Sequence, residues 1–383
     1  MSYFYMENFI IVILGFILAV AAGQWIIPGI LIISLRKRLF DIPDKRKVHN
    51  RPVPRLGGVS FFPIILFVMS SMTILRLLMK SLSNVFFTVE VVNEMLSLVA
   101  GLTLLYLIGI ADDLIGVRYR QKFVIQIISA AFLPIVGLYL EGFDGLLGIY
   151  GFSPFIGVPL TMLLVVFITN AINLIDGIDG LASGLSIVTF SILGIAFALN
   201  NLWMYSLLAF SCVGMLIPFF WYNVFGNADR GRKIFMGDTG SLTLGYVLSF
   251  LIIKFFIHSN ICVGEMSGSS LVVAFSMLLV PCLDVCRVVL GRIHRHLNPF
   301  KPDRTHIHHK FLEMGFSPRR SMVYIQLMSV SFILFTILLF YWRVDATVVL
   351  GLDILIWIGL NMWYSRIIKQ KIQKKTVVFV NKE

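Results

Sequence analysis

Runs of about twenty apolar residues recur along the chain, separated by short polar connections. They predict eleven membrane-spanning helices, at about 8–34, 59–79, 94–111, 123–140, 155–172, 181–199, 203–221, 239–258, 269–290, 321–342 and 345–365. The first run does not have the form of a cleaved leader. Its apolar stretch is too long, and the first positive charge, Arg36, comes after it. No repeat, low-complexity tract or soluble insertion interrupts the series. The expectation is an all-α polytopic membrane protein, with one membrane domain over 1–366 and a basic tail over 367–383.

Composition narrows this further. Of 383 residues, 58% are hydrophobic and only 14% charged, which excludes a water-soluble globule, a disordered chain and a disulfide scaffold. Cys212, Cys262, Cys282 and Cys286 lie in or beside apolar runs without zinc-like spacing, so they read as small buried hydrophobes. The net charge of +12 would suit a nucleic-acid partner if the charges formed one patch. Instead they follow alternate connections. Eight Lys and Arg fall in 35–58, three in 112–122, three in 222–238, eight in 287–320 and six from Arg366 onward, leaving only Arg76, Lys80, Lys254 and Arg343 elsewhere. Cytoplasmic connections carry such an excess, so this pattern predicts an outer N-terminus, a cytoplasmic C-terminus and no nucleic-acid role.

Acids that could do chemistry share the basic side, which places the expected site on the cytoplasmic face. Asp112 and Asp113 directly follow an apolar run; they are either a solvated helix end or a pair that needs a divalent cation. The connection Asn170-Ala-Ile-Asn173-Leu-Ile-Asp176-Gly-Ile-Asp179-Gly180 holds two Asn, two Asp and two Gly but no basic residue. On a helix, 170, 173 and 176 would share a face. Asp238, in Phe235-Met-Gly-Asp238-Thr-Gly-Ser241, could cap a helix or hold a metal beside a diphosphate.

The longest inner connection carries Arg304-Thr-His306-Ile-His308-His309-Lys310. This lacks the i,i+4 spacing and the glutamate of a metalloprotease, and its flanking Arg and Lys suit phosphate better than zinc. Asp284 and Arg287, at i,i+3, read as an ion pair. Acids to hold Mg²⁺ beside bases to hold phosphate are the parts required for phosphoryl transfer. An anion transporter or flippase would want the basic residues but would gain nothing from the acids.

Five blocks in order carry a resemblance to a known family. They are Asp41-x-Pro43…Arg46-Lys47-x-His49…Pro54-x-x-Gly57-Gly58; Asp112-Asp113 with Lys122 and Gln126; the Asn170–Gly180 segment; Phe235–Ser241; and His306-x-His308-His309. Together they are similar to the polyprenyl-phosphate N-acetylhexosamine-1-phosphate transferases of the WecA, TagO and MraY types, closest to the first two. The resemblance implies transfer of an N-acetylhexosamine 1-phosphate from a UDP-sugar, foremost UDP-N-acetylglucosamine, to undecaprenyl phosphate, releasing UMP. The reaction would initiate a lipid-linked envelope polysaccharide in the inner membrane. A phospho-MurNAc-pentapeptide donor is the alternative.

The resemblance also implies roles. Asp112, Asp113, Asp176 and Asp179 would be catalytic, and Asp238 with Asp112 would hold Mg²⁺ or Mn²⁺. Substrate contacts would come from Asp41, Lys47, His49, Lys122, Asn170, Asn173, Asn223, Phe235, Arg304, His306, His308 and His309. A homodimer is a further implication.

Overall fold

The computed structural model describes residues 3–41, 53–79, 88–258, 269–298 and 305–380. Helices α1 (Tyr3–Arg36), α2 (Phe61–Leu78), α3 (Val89–Ile115), α4 (Tyr119–Ile135), α5 (Pro154–Ile175), α6 (Leu181–Leu199) and α7 (Trp203–Phe220) follow the apolar runs. They are followed by α8 (Gly237–Ile257), α9 (Ser269–Met277), α10 (Leu279–His294), the short α11 (Ile307–Glu313), α12 (Pro318–Tyr341) and α13 (Ala346–Val380). The only strands among the described residues, β1 (Phe40–Asp41) and β2 (Val53–Pro54), pair antiparallel with Phe40 opposite Pro54. The protein is a helical multi-pass membrane protein.

Every predicted span falls on a helix, but the count differs from eleven. Nine helices among the described residues are long and apolar enough to cross a bilayer, and the bent pair α9–α10 would make ten. The fourth run yields only the 17 residues of α4, which begins with polar Tyr-Arg-Gln-Lys and ends just past Pro134. The ninth run breaks, and its two halves meet at 76°. Pro281 is the physical reason: it has no N–H to give to the Met277 carbonyl one turn back. Thr189 of α6 takes that carbonyl instead, with Oγ1 donating at 3.1 Å. A backbone break at membrane depth is tolerated when such a partner covers it. The segment beyond Arg366, read as a tail, continues α13.

Helix α8 is apolar on all sides and buried almost throughout, packed among α3, α5 and α6. A helix with no polar face belongs in the centre of such a bundle. Its first turn meets α3 at Gly109, where a Cβ would collide with the Thr239 backbone. Close backbone approach of this kind is how membrane helices pack without a hydrophobic driving force between them.

The polar connections gather at the two ends of the bundle. At one end Lys254 pairs with Glu94 at 2.7 Å and Glu90 at 3.3 Å, and Tyr205 donates to Glu94. Arg76 pairs there with Glu7 at 3.4 Å and donates to Asn8. Two of the basic residues that escaped the charge pattern are thus buried and neutralised by acids on other helices. The opposite end holds the described residues of the five sequence blocks.

Candidate active site

The site is built where α3 ends, α5 ends and α8 begins. Asp113, with a side chain fully buried, accepts from the amides of Asp238 at 2.8 Å and Thr239 at 3.0 Å, and from the Thr239 hydroxyl at 2.6 Å. The first amides of a helix have no partner within it, so Asp113 caps α8 from a neighbouring helix. Asp112 points elsewhere. Its Oδ1 accepts from the Val117 amide at 2.7 Å, and its Oδ2 lies 3.3 Å from Lys122 Nζ. Lys122 also contacts Asp238 directly, bridging the two carboxylates, and Arg55 reaches within 3.6 Å of Asp238.

The adjacent aspartates should therefore respond differently to removal. Asp113→Ala is expected to cost about 3 kcal/mol or more, because it strips the start of α8 of a charged acceptor. Asp112→Ala should cost under about 1 kcal/mol, since Lys122 retains Asp238 as a partner. Thermal unfolding of the two purified variants in one detergent checks the contrast; equal losses would remove the capping role.

Arg55 is positioned by the segment after β2. The amide of Phe235 donates to the Pro54 carbonyl at 2.7 Å, and the amides of Gly57 and Gly58 donate to Phe235 and Met236 at 2.9 and 2.8 Å. A Cβ at Gly58 would occupy the backbone of Gly240. This explains the facing glycines of two separate sequence blocks: they let the two loops lie backbone against backbone.

A cavity of about 500 Å³ opens over these residues. Its walls include Arg55, Asp176, Asp179 and Asp238, with Asn173 and Ser241 hydrogen-bonded at 2.8 Å. Phe235 and Lys233 form one side, with the ammonium 5.8 Å from the ring and 2.5 Å from Asp179. His308 and His309 also line the cavity. Burial, then the negative Asp179 and Asp238, pushes the Asp176 carboxyl up to about 7.

Around the cavity, five carboxylates (Asp112, Asp113, Asp176, Asp179, Asp238) face three cations (Arg55, Lys122, Lys233) among the described residues. With all five ionised this is an excess of two negative charges, which suits one divalent cation. No three acids, cysteines or histidines among the described residues cluster tightly enough to hold a metal alone. Mg²⁺ fits this arrangement, because it commonly takes one or two carboxylates and completes its shell with phosphate oxygens and water.

The histidine segment is held from behind. Asp284 is 1% exposed and accepts from Arg287 at 2.6 Å and from the Ile307 amide at 3.0 Å, with His306 Nδ1 at 2.9 Å. The His306 ring lies parallel to His308, 5.9 Å away, and His308 meets His309 at 4.2 Å. Burial, then His309 and His306, pushes His308 down to about 3. Its ring is therefore neutral, with an Nδ1 that finds no partner among the described residues. A neutral imidazole suits an uncharged hydroxyl or amide better than a phosphate.

Of the residues predicted from sequence, Asn173, Asp176, Asp179, Asn223, Phe235, Asp238, His308 and His309 line the cavity, with Asp112, Asp113 and Lys122 adjoining it. Asn223 sits in a π-helical turn after α7, and its side chain is occupied by the Gly180 amide and the Ile234 carbonyl. Asn170 pairs with Gln126 one turn deeper, and His306 stands behind His308. The Asp41 side chain, Lys47, His49 and Arg304 lie outside the described residues. Arg55, Lys233 and Asp284 were not foreseen as site residues. Arg55 had a signal in its place between Pro54 and Gly57; Asp284 had one in its pairing with Arg287.

The glycosyl transferase family 4 profile matches residues 95–256. A probable undecaprenyl-phosphate N-acetylglucosaminyl 1-phosphate transferase of Bacillus subtilis (strain 168) is 30% identical over 334 residues, covering 87% of this chain and 86% of the relative. Undecaprenyl-phosphate alpha-N-acetylglucosaminyl 1-phosphate transferases of Yersinia pestis and Escherichia coli (strain K12) are each 28% identical. The first covers 77% of this chain and 75% of the relative, the second 76% and 73%.

Proposed function

Because this chain belongs to the polyprenyl-phosphate N-acetylhexosamine-1-phosphate transferase family, of WecA and TagO type, we propose that it transfers N-acetylglucosamine 1-phosphate from UDP-N-acetylglucosamine to undecaprenyl phosphate, releasing UMP. The observation that carries the reading is the Lys122 bridge between Asp112 and Asp238 beside Arg55, adjoining an acid-rich cavity. The basic excess of the connections at this end supports a cytoplasmic site in the inner membrane.

The acceptor is a phosphate monoester with a second pKa near 6, so it is largely a dianion at neutral pH. No strong base is needed to make it a nucleophile; alignment and charge neutralisation are the tasks. Lys122 and Arg55 orient that dianion against the β-phosphorus of the donor. A bond forms from an acceptor oxygen to the β-phosphorus, and the bond from that phosphorus to the bridging oxygen breaks. UMP leaves with the electron pair, and no proton need move. Mg²⁺, held by Asp238 and Asp112, would neutralise charge on the diphosphate. Phe235 offers its face to the uracil, and neutral His308 with Asn173 faces the sugar's uncharged groups.

Purified protein with undecaprenyl phosphate, Mg²⁺ and a panel of UDP-sugars should release UMP fastest from UDP-N-acetylglucosamine. Absence of UMP with every UDP-N-acetylhexosamine, from protein shown to be folded, would sink the proposal.

A further inference from the structure

A second cavity lies on the far side of the histidine segment. It is a groove of about 1060 Å³ between α10, α11 and α13. Its walls are apolar, with Leu290 on α10 facing Ile354, Trp357 and Ile358 on α13. Leu290 and Ile358 are 64% and 47% exposed, so the groove is open along its apolar side. At the end where α10 finishes, its rim carries Arg295, Lys310, Arg366 and Lys369, against the single acid Glu313.

Lys310 is half-buried in this rim. It donates to Asn361 Oδ1 and Ser365 Oγ at 3.2 Å, and no acid ion-pairs with it among the described residues. Burial and the neighbouring Arg287 push its ammonium down to about 8. A positive excess spread over a helix end would report topology alone. This one lines a concave apolar slot and includes a desolvated cation with neutral partners, which is complementary to an anion carrying hydrocarbon chains.

We propose that the groove holds an anionic phospholipid, with its chains along α10 and α13 and its phosphodiester among Arg295, Lys310 and Lys369. The reacting acceptor is a poor candidate for this place, because the groove shares no lining residue with the acid-rich cavity. A phosphate here stands behind Thr305–Lys310 and away from Asp112 and Asp238. The bound lipid has a route to the active site all the same. Arg287, in the groove wall, donates to the Thr305 carbonyl at 2.5 Å and to Asp284, which holds His306 against His308. A headgroup at this rim steadies the segment that carries the site histidines.

The test uses the full chain, exchanged from vesicles of mixed phosphatidylglycerol and phosphatidylcholine into detergent, with retained lipid counted by native mass spectrometry. Wild type should retain phosphatidylglycerol in preference to phosphatidylcholine. Arg295→Gln combined with Lys369→Gln should weaken that retention roughly 30-fold, the loss for two basic residues at about 1 kcal/mol each. Ile358→Trp, which fills the apolar slot and leaves the rim intact, should also expel the lipid, so the test survives if the double variant fails to fold. Equal retention of both lipids by wild type, or unchanged retention in the folded variants, overturns the proposal. So does displacement of phosphatidylglycerol by undecaprenyl phosphate, which would assign the groove to the acceptor. Retention is read without turnover, so this result is independent of the transfer reaction.

Discussion

Replacing Asp238 with Asn is expected to reduce UMP release about a thousandfold or more while leaving the protein inserted and folded. The substitution keeps size and one acceptor oxygen but turns the other into an amide donor and removes the charge that Lys122 and Arg55 both face. The main chain of residue 238 would be undisturbed, because its amide is held by Asp113. Loss of turnover therefore reports charge and not collapse of the α8 terminus. Two readouts separate these: UMP release at saturating Mg²⁺, and the melting temperature in detergent. Turnover within tenfold of wild type would remove Asp238 from the metal site. A large fall in melting temperature would instead make it a structural partner of Lys122.

Asp238 was visible in the sequence as a helix cap or a metal ligand, and the resemblance selected the second. Asp112 and Asp113 stood out because a carboxylate pair at the end of an apolar run is costly without a partner. Asp176 and Asp179 stood out because their connection has no basic residue, and the one-sided basic residues showed which connections would meet. What adjacency concealed was the division of labour between Asp112 and Asp113. Neighbours on a helix point about 100° apart, and the groups that decide their roles sit on other elements. For Asp113 those groups lie 125 and 126 positions away. Spacing alone likewise does not place Asn170: it matches Asn173 and Asp176, yet its side chain lies one turn deeper and pairs with Gln126. The break between α9 and α10 was missed, since 269–290 reads as one apolar run despite Pro281, and the Thr189 hydroxyl that makes it tolerable comes from α6.

Asp176→Asn should separate stability from activity in opposite directions. With the carboxyl raised to about 7 in the fold and near its ordinary value of about 4 when unfolded, the native state holds the proton more tightly. Stability of the cation-free protein must then fall as pH rises between about 4 and about 7, and level off above that range. Asp176→Asn removes the titrating group, so its melting temperature should vary less over that window. Above about pH 7 the variant should be more stable than wild type by about 1–2 kcal/mol, allowing for the partial exposure of the side chain. Mg²⁺ should stabilise wild type more at about pH 8 than at about pH 5, because binding opposes the same crowding of negative charge. Transfer should nevertheless drop about a hundredfold or more in the variant, since the acid lines the cavity over which the donor would lie. A variant that is neither more stable nor less active would show that Asp176 is screened by solvent, and the negative field ascribed to the site would fail with it.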